Sequence, residues 1–384
     1  MIEPLAPIPM MTLPQALPCR THPLNIHPVD LATRMLIKET AHTLHPNCQE
    51  GVGHAAENER FCRDFHANLE WLVPGWPAPP WVRAASTTRR GGVSLGTYAG
   101  LNLGDHVGDD PVRVHANRQL LRAALGLPAD PFWLRQVHGC EVACVVAGAA
   151  VSSPAGETAG VASAEKASGA SGVETGEAPG EATGGVPLGA PGGVERGVSG
   201  GATRGAPGEA PSGADYEADA VVAFGPGAVC AVLTADCLPL LLTDRAGTRV
   251  AAVHAGWRGL AAGIIEAAVA RLAAPPSDLL AWLGPAIGAT AFEVGGEVRA
   301  RFIAADAQAA VAFKPLGGDK WLADLYHLAR LRLAALGVGG VWGGEHCTYQ
   351  DPERFYSYRR DGVTGRMASL IWLEAREPTP PGPL

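Results

Sequence analysis

Three short segments set a metal-binding side chain beside glycine and charge: RQVHG with His138, TADC with Cys237, and VHAGWRG with His254. Zinc accepts imidazole nitrogen and thiolate sulfur, and its catalytic sites use three protein donors with a fourth position left for water or substrate. Two histidines and one cysteine meet that count. Each lies in a separate segment, so its own strand end can fix it. Each also has a structural alternative. Cys237, ahead of LPLLL, reads equally as a small buried apolar residue, His138 as a hydrogen-bonded loop residue, and His254 as a strand terminator. Cys237 and His254 are 17 positions apart, which is no general metal signature.

The surroundings of His254 suggest a second function. A strand ending near Val253 and a helix starting near Arg258 would place free N–H groups and positive dipole beside the histidine, as in an anion site. Gly256 and Gly259 let backbone approach a ligand, and Arg258 adds a planar guanidinium suited to phosphate or carboxylate. A surface ion pair is the plain alternative for Arg258. Other positions carry weaker signals. Arg89 and Arg90 before Gly91-Gly92, and Arg359 and Arg360 before a turn, could hold an anion or simply be solvated. His346 and Cys347 could form a second metal pair. Asp219 and Asp236, beside apolar runs, could orient ligands or cap turns. GPAIGATAFEVGGEV lacks the Gly-Lys-Ser/Thr of a phosphate-binding loop.

The elements that must position these residues are partly legible. DDPVRVHANRQLLRAALG predicts a helix with Asp110 as cap, Pro111 in the first turn and Gly126 as stop. VCAVLTADCLPLLLTD predicts strand, polar break, strand. RVAAV followed by GWRGLAAGIIEAAVARLAA predicts strand, tight turn and one helix. LADLYHLARLRLAALG places Leu322, Leu325, Tyr326, Ala329, Leu333 and Leu336 on one helical face closed by Gly337. RFYSYRR and GRMASLIWL, around Asp361-Gly362, predict a terminal hairpin or strand pair. This mixture implies an α/β or α+β layered domain.

Two regions stand apart in composition. Residues 1–68 are rich in Pro and His without sustained periodicity and read as a disordered extension, with His42, His45 and His54 as weak metal candidates at most. Residues 148–214 hold one leucine, seven Glu, one Lys and two Arg, a net charge of −4. They cannot bury enough apolar surface to offset their ordering entropy, and read as a disordered insertion in a surface loop. The remainder, 69–147 and 215–373, suits one globular domain, with 374–384 as a tail. A net charge of −8 argues against a nucleic-acid grip. No apolar run has bilayer length and no secretory leader is evident, so the expected location is the cytoplasm. There the eight cysteines are expected as thiols or ligands rather than disulfides.

From LEWLVPGWPAPP to GRMASLIWL, about 69–373, the chain resembles the bacterial family variously called laccase-domain proteins, multicopper polyphenol oxidases, peptidoglycan editing factors and purine nucleoside phosphorylases. The motifs are STTRRGGVS, LNLGDHVGDDP, RQVHG, EADAVV, TADCLPLLL, AAVHAGWRGL, LGPAIG with FEVGGEV, and FYSYRRDGVTGRMASLIW. The resemblance implies an α+β, mixed α/β fold: a layered sandwich of mixed β-sheets flanked by helices, in a single-domain monomer. It implies metal ligation by His138, Cys237 and His254, with zinc as the usual ion and copper also claimed. The implied activities are phosphorolysis of adenosine, inosine and methylthioadenosine, and deamination of adenosine, with purine nucleosides and phosphate as partners. Catalysis then falls to Cys237, His138, His254 and Arg258, with no organic cofactor, nucleic acid or membrane involved. The zinc-deaminase signature H-x-E with P-C-x-x-C is absent, so no general acid or base is assigned.

Three other activities are weighed against this. A copper polyphenol oxidase needs several mostly imidazole-ligated ions, and the core offers only His106, His115, His138, His254, His327 and His346. An amidase acting on peptidoglycan precursors would use Cys237 as nucleophile and His254 as base. A non-catalytic nucleoside-binding module would bind without product. The extension and the insertion depart from the family pattern. The insertion falls between His138 and Cys237, so loop closure beside the site is the feature most exposed to it.

Overall fold

The apolar runs VCAVLT and LPLLLTD form strands, each ended by a polar residue before a helix could complete two turns. They belong to a computed structural model that describes residues 69–145 and 216–375. The expected 1–68 extension, the insertion at 148–214 and nearly all of the 374–384 tail lie outside the described residues. In chain order the elements are β1 (Trp71–Leu72), β2 (Val82–Thr87), α1 (Pro111–Leu125), β3 (Val142–Val145), β4 (Ala220–Phe224), β5 (Val229–Thr234), β6 (Leu238–Asp244), β7 (Arg249–Ala255), α2 (Trp257–Ala262), α3 (Ile264–Leu272), β8 (Leu279–Leu283), β9 (Glu293–Gly295), α4 (Gly296–Ala305), β10 (Phe313–Gly317), β11 (Lys320–Ala323), α5 (Leu325–Ala335), β12 (Gly340–Gly343), α6 (Tyr358–Asp361) and β13 (Met367–Leu373).

Two sheets carry the architecture. One is mixed and runs β12-β8-β6-β7-β4-β3; the other is antiparallel and runs β1-β2-β13-β5. A small third sheet, β10-β11-β9, stands apart. Side chains alternate across each strand, and the alternation sorts the core into layers. Leu238, Leu240, Leu242, Ala251 and Val253 pack with Leu260, Ile264, Ile265, Leu325 and Leu333 of the helices. On the opposite face, Val221, Leu241, Val250 and Ala252 pack against Cys230, Val232 and Ile371 of the second sheet. The far face of that sheet, through Val229, Ala231, Leu233 and Leu370, buries Leu120 and Leu121 of α1. The order is helix, sheet, sheet, helices: the mixed α/β layered sandwich that the pattern implied. No helix among the described residues is long and apolar enough to cross a membrane.

The α1 boundaries are those expected. The Asp110 carboxylate accepts from the Val112 N–H, Pro111 begins the helix, and Gly126 closes it in the left-handed conformation at φ 60°. α5 likewise begins at an Asp324 cap and buries Leu325, Ala329 and Leu333. Leu322 lies outside it, in β11.

Two expectations are corrected. The segment after VHAG is not one helix: Gly263, at φ 98°, splits it into α2 and α3. RFYSYRR and GRMASLIWL do not pair with each other. Tyr358–Asp361 is a short helix capped by Ser357, and β13 pairs with β2 and β5 instead. The Asp-Gly signal is local, whereas the partners of β13 are distant in sequence, so a local pattern cannot reveal them.

Candidate metal centre

β6 begins, β7 ends and β4 begins at the same edge of the mixed sheet, because β7 runs antiparallel to both its neighbours. Pro239 faces His254 across the β6–β7 ladder, and Ala220 faces Val253 across β4–β7. Cys237 therefore stands one strand from His254, and Asp219 stands on its other side. On β7 the even-numbered residues Val250 and Ala252 point between the sheets, and His254 continues that face into the gap at the end of the sandwich.

Cys237 is held by the crossover that carries the chain from β5 in one sheet to β6 in the other. Asp236 makes the turn at φ 91°. That conformation is costly for a residue with a Cβ and persists only where its surroundings over-determine it. Its carboxylate accepts from the Thr348 hydroxyl at 2.6 Å and from the Arg359 N–H at 2.6 Å, and its carbonyl accepts from the Ile287 N–H. Asp236 thus fixes the turn rather than binding an ion.

His138 arrives from the loop before β3. The Gln136 side chain extends β5 by hydrogen-bonding both ways with the Leu233 backbone, donating at 2.8 Å and accepting at 2.7 Å. His138 itself is at φ 62°. Three successive N–H groups, of Val137, His138 and Gly139, donate to the fully buried Asp219 carboxylate at 3.3, 2.9 and 2.6 Å. The same carboxylate accepts from His254 Nδ1 at 2.8 Å. An ionised carboxylate only accepts, so Nδ1 carries a proton and Nε2 is the nitrogen turned free to bind a metal in exchange for its own proton. One aspartate therefore orients both histidines.

The three expected residues come together. The ligand atoms of His138, Cys237 and His254 lie within 4.8 Å of one another, with Cys237 Sγ 3.8 Å from His138 Nε2. Around a tetrahedral zinc with bonds of about 2.3 Å to sulfur and 2.0–2.1 Å to nitrogen, donor atoms stand roughly 3.3–3.6 Å apart. The donor set and its spacing fit such an ion after a small inward movement. Burial pushes the Cys237 thiol up, but the imidazoles of His254 and His138 outweigh it and bring the thiol down to about 6. The thiolate is the form that binds metal. Burial pushes His254 down, and Cys237 and Asp219 more than reverse this, raising it to about 9.

Gly256 and Gly259 close the site from the helix side. A Cβ on Gly256 would stand 2.9 Å from Cys237 Sγ and 3.2 Å from His138 Cδ2, and one on Gly259 would stand 2.7 Å from the Gly139 carbonyl. The Gly256 backbone is ordinary at φ −62°, so only space forbids a side chain there. Gly256→Ala is expected to weaken metal binding about 5- to 100-fold, the equivalent of overpacking by about 1–3 kcal/mol, and to leave the fold intact. Competition with a chelating dye measures it, and unchanged affinity would contradict the packing described.

The remaining candidates are used otherwise. Arg258 is exposed on the six-residue α2, its guanidinium stacked on the Trp257 ring at 4.6 Å. Arg89 donates to the Pro352 and Ala99 carbonyls and stacks on Tyr356, while Arg90 pairs with Glu70 and Glu353. Arg360 donates to the carbonyls of Thr348, Tyr349 and Phe355, and Arg359 to that of Glu293. The Cys347 sulfur accepts from the Gly288 N–H, and His346 packs on Phe355. Among the described residues His138, Cys237 and His254 are the one group of three or more donors close enough to hold a metal, and neither His346 nor Cys347 belongs to it. Cys140, Cys144, Cys230, Cys237 and Cys347 are free thiols, as expected. Sequence reasoning missed Gln136 and Thr348. Gln136 stands within the RQVHG motif, but nothing in its type signals that it completes a strand.

The chain matches the family model described as multi-copper polyphenol oxidoreductase laccase over residues 83–171 and 201–374. It is 47% identical over 302 residues to purine nucleoside phosphorylase YfiH of Escherichia coli (strain K12), covering 79% of this chain and 98% of that one. It is 44% identical over 305 residues to purine nucleoside phosphorylase PA4543 of Pseudomonas aeruginosa, with 79% and 98% covered. Among solved structures it is similar to a Neisseria meningitidis protein at 43% identity and TM-score 0.60, covering 79% of this chain and 99% of that one. It is also similar to YlmD from Geobacillus stearothermophilus at 26% identity and TM-score 0.59, with 79% and 96% covered.

Proposed function

Because the chain belongs to the multi-copper polyphenol oxidoreductase laccase family, whose curated relatives include purine nucleoside phosphorylases, we propose that it is a metal-dependent purine nucleoside phosphorylase with zinc on His138, Cys237 and His254. The observation that supports this reading most is the convergence of two imidazoles and a low-pKa thiol around one buried carboxylate. In the reaction, a phosphate oxygen bonds to ribose C1′ as the C1′–N9 bond breaks. The bonding pair leaves with N9, which gains a proton, and the products are the free purine and ribose 1-phosphate. A bound zinc ion would supply a fixed positive charge to orient and charge-match the phosphate, or to meet the negative charge that builds on the departing purine.

The chain's own residues do the rest. Asp219 keeps His254 Nδ1 protonated and its Nε2 turned toward the site. The N–H groups of 137–139 hold His138 in its left-handed turn. Gly256 leaves room for the thiolate. Arg258, exposed on α2, attracts the incoming anion through solvent rather than gripping it.

The test is metal quantification beside product detection from adenosine, inosine and methylthioadenosine with phosphate. One zinc per chain and release of ribose 1-phosphate are expected. Chelation should lower the rate about 10²- to 10³-fold, the usual cost of removing a charge-stabilising group, and zinc should restore it. Full turnover in chelated protein would remove the proposal. Adenosine deamination at the same site extends it, rests on the family resemblance, and is read as ammonia release without phosphate.

One observation favours a second reading. Asp219, His254 and Cys237 stand in the order of orienting group, base and nucleophile, as amide cleavage in peptidoglycan precursors would require. That reading predicts metal-independent turnover and covalent trapping at Cys237. Oxidase chemistry fits less well, since one three-donor group among the described residues falls short of a cluster of several coppers.

A further inference from the structure

Among the described residues two guanidinium groups, Arg118 and Arg366, are buried enough for desolvation to lower their pKa. Arg118 is paired with Asp105 at 3.1 Å. Among the described residues Arg366 has no carboxylate within ion-pair distance. It immediately precedes β13, whose Met367 is in register with Thr234 of β5. This places Arg366 beside the Ala235–Cys237 crossover, and Cys237 and Asp236 are the anionic groups that act on it most.

The side chain is firmly held. Its stem lies against Gly104, where a Cβ would come within 2.8 Å of Arg366 Cγ. Its backbone N–H donates to the Asn102 amide oxygen and its carbonyl accepts from the Leu103 N–H. Nη1 donates to the Thr364 and Gly365 carbonyls, both at 3.0 Å. Among the described residues Nε and Nη2 find no acceptor. Two residues earlier, the Thr364 hydroxyl is also buried and without a partner. An unpaired hydroxyl is expensive to bury, so a ligand that gives Thr364 a partner gains by it.

The local charges show what is missing. Asp236 is engaged on both oxygens by Thr348 and the Arg359 N–H, and Asp219 is filled by His254 and the loop N–H groups. Once Cys237 serves a metal, its charge is committed there, and Arg366 has no counter-charge from the protein.

Resting on the phosphorylase reading, we propose that Arg366, with the Thr364 hydroxyl beside it, forms the oxyanion-holding subsite of the metal centre and that inorganic phosphate is the anion it takes. Arg258, exposed and stacked on Trp257, lacks this desolvation. Arg366 presents a forked donor pair of the kind that matches phosphate oxygens.

The experiment uses zinc-loaded full-length protein, with Arg366→Gln, Arg366→Lys and Thr364→Val compared with the wild type. Calorimetric titration with inorganic phosphate alone reads the subsite, and steady-state kinetics read KM for phosphate and for adenosine separately. Arg366→Gln is expected to weaken phosphate binding and raise its KM about 10- to 100-fold, the effect of losing hydrogen bonds to a charged group. KM for adenosine and zinc content should stay within about twofold, on the scale of an unaffected site. Lysine should recover part of the loss by restoring charge without the fork. Thr364→Val, nearly isosteric and safe for folding, should raise the phosphate KM about 3- to 10-fold for one lost hydrogen bond. Phosphate affinity unchanged in Arg366→Gln, or in Thr364→Val should the former not fold, overturns the subsite. Wild-type protein that binds phosphate but yields no ribose 1-phosphate would count against the phosphorylase reading while leaving the subsite standing.

Discussion

Cys237→Ala is expected to purify without stoichiometric zinc and to release ribose 1-phosphate from adenosine about 10³-fold more slowly than the wild type, or less, since catalysis loses both its charge stabilisation and the placement of substrate. The sulfur is the sole anionic donor among the three ligands, and its low pKa keeps it a thiolate near neutrality. Imidazole serves a metal as an uncharged ligand and cannot replace that charge. The fold should survive, because Cys237 is half-buried on the crossover and its position is fixed by Asp236 rather than by its own side chain. Elemental analysis and product chromatography on one preparation check both parts. The amidase reading also loses activity in this variant but needs no metal in the wild type. Full zinc in the alanine protein would therefore contradict the ligand assignment itself.

Asp219→Asn should weaken zinc binding about 10- to 100-fold, the usual effect of losing the group that orients a metal-binding histidine, and should lower stability by about 3–5 kcal/mol, as when one partner of a buried charged pair is removed. Asp219 is fully buried and accepts from three backbone N–H groups and His254 Nδ1. An amide offers one acceptor oxygen, and its NH₂ would confront donors. Burial pushes the Asp219 carboxyl up, but the His254 imidazole and the N–H groups of Gly139 and His138 outweigh it and hold it below 3.8. A depressed carboxyl contributes stability that is fully present above its ordinary value of 3.8 and fades as pH falls through the lower folded value. The variant should lose that acid-side component. Chemical denaturation at neutral and acidic pH, with a metal competition assay, reads all three effects. Wild-type stability and metal affinity in Asp219→Asn would show that the carboxylate merely fills space.

The donors of the site were legible in the sequence as candidates. Residue type alone left each of His138, Cys237 and His254 a structural alternative, and it was the family resemblance that joined them as one ligand set; the structure brings the three side chains together. The strands around TADC were legible too, as two apolar runs separated by a polar break. What the runs concealed is that they belong to different sheets. Both are buried on both faces, so no alternation reveals which layer each joins. The break of α2 from α3 at Gly263 was hidden for another reason: glycine inside a helical pattern often remains helical, and only the left-handed φ shows that this one does not. β13 was legible as a strand but not in its partners, since its register with β2 and β5 spans most of the chain. Arg366 was invisible among so many arginines. Its distinction lies in its place beside the Ala235–Cys237 crossover and next to the buried Thr364 hydroxyl, which no local pattern encodes.

Residues from both main sheets frame the candidate ligand set: His254 stands near the end of a strand of one, Gln136 ties the His138 loop to a strand of the other, and Cys237 sits on the link between them. An ion held there acts as a rivet through two stacked plates. It cannot be captured by either plate alone, so its attachment energy is gained only after the plates have met and aligned. Affinity for the ion is thereby converted into resistance against the two layers sliding apart.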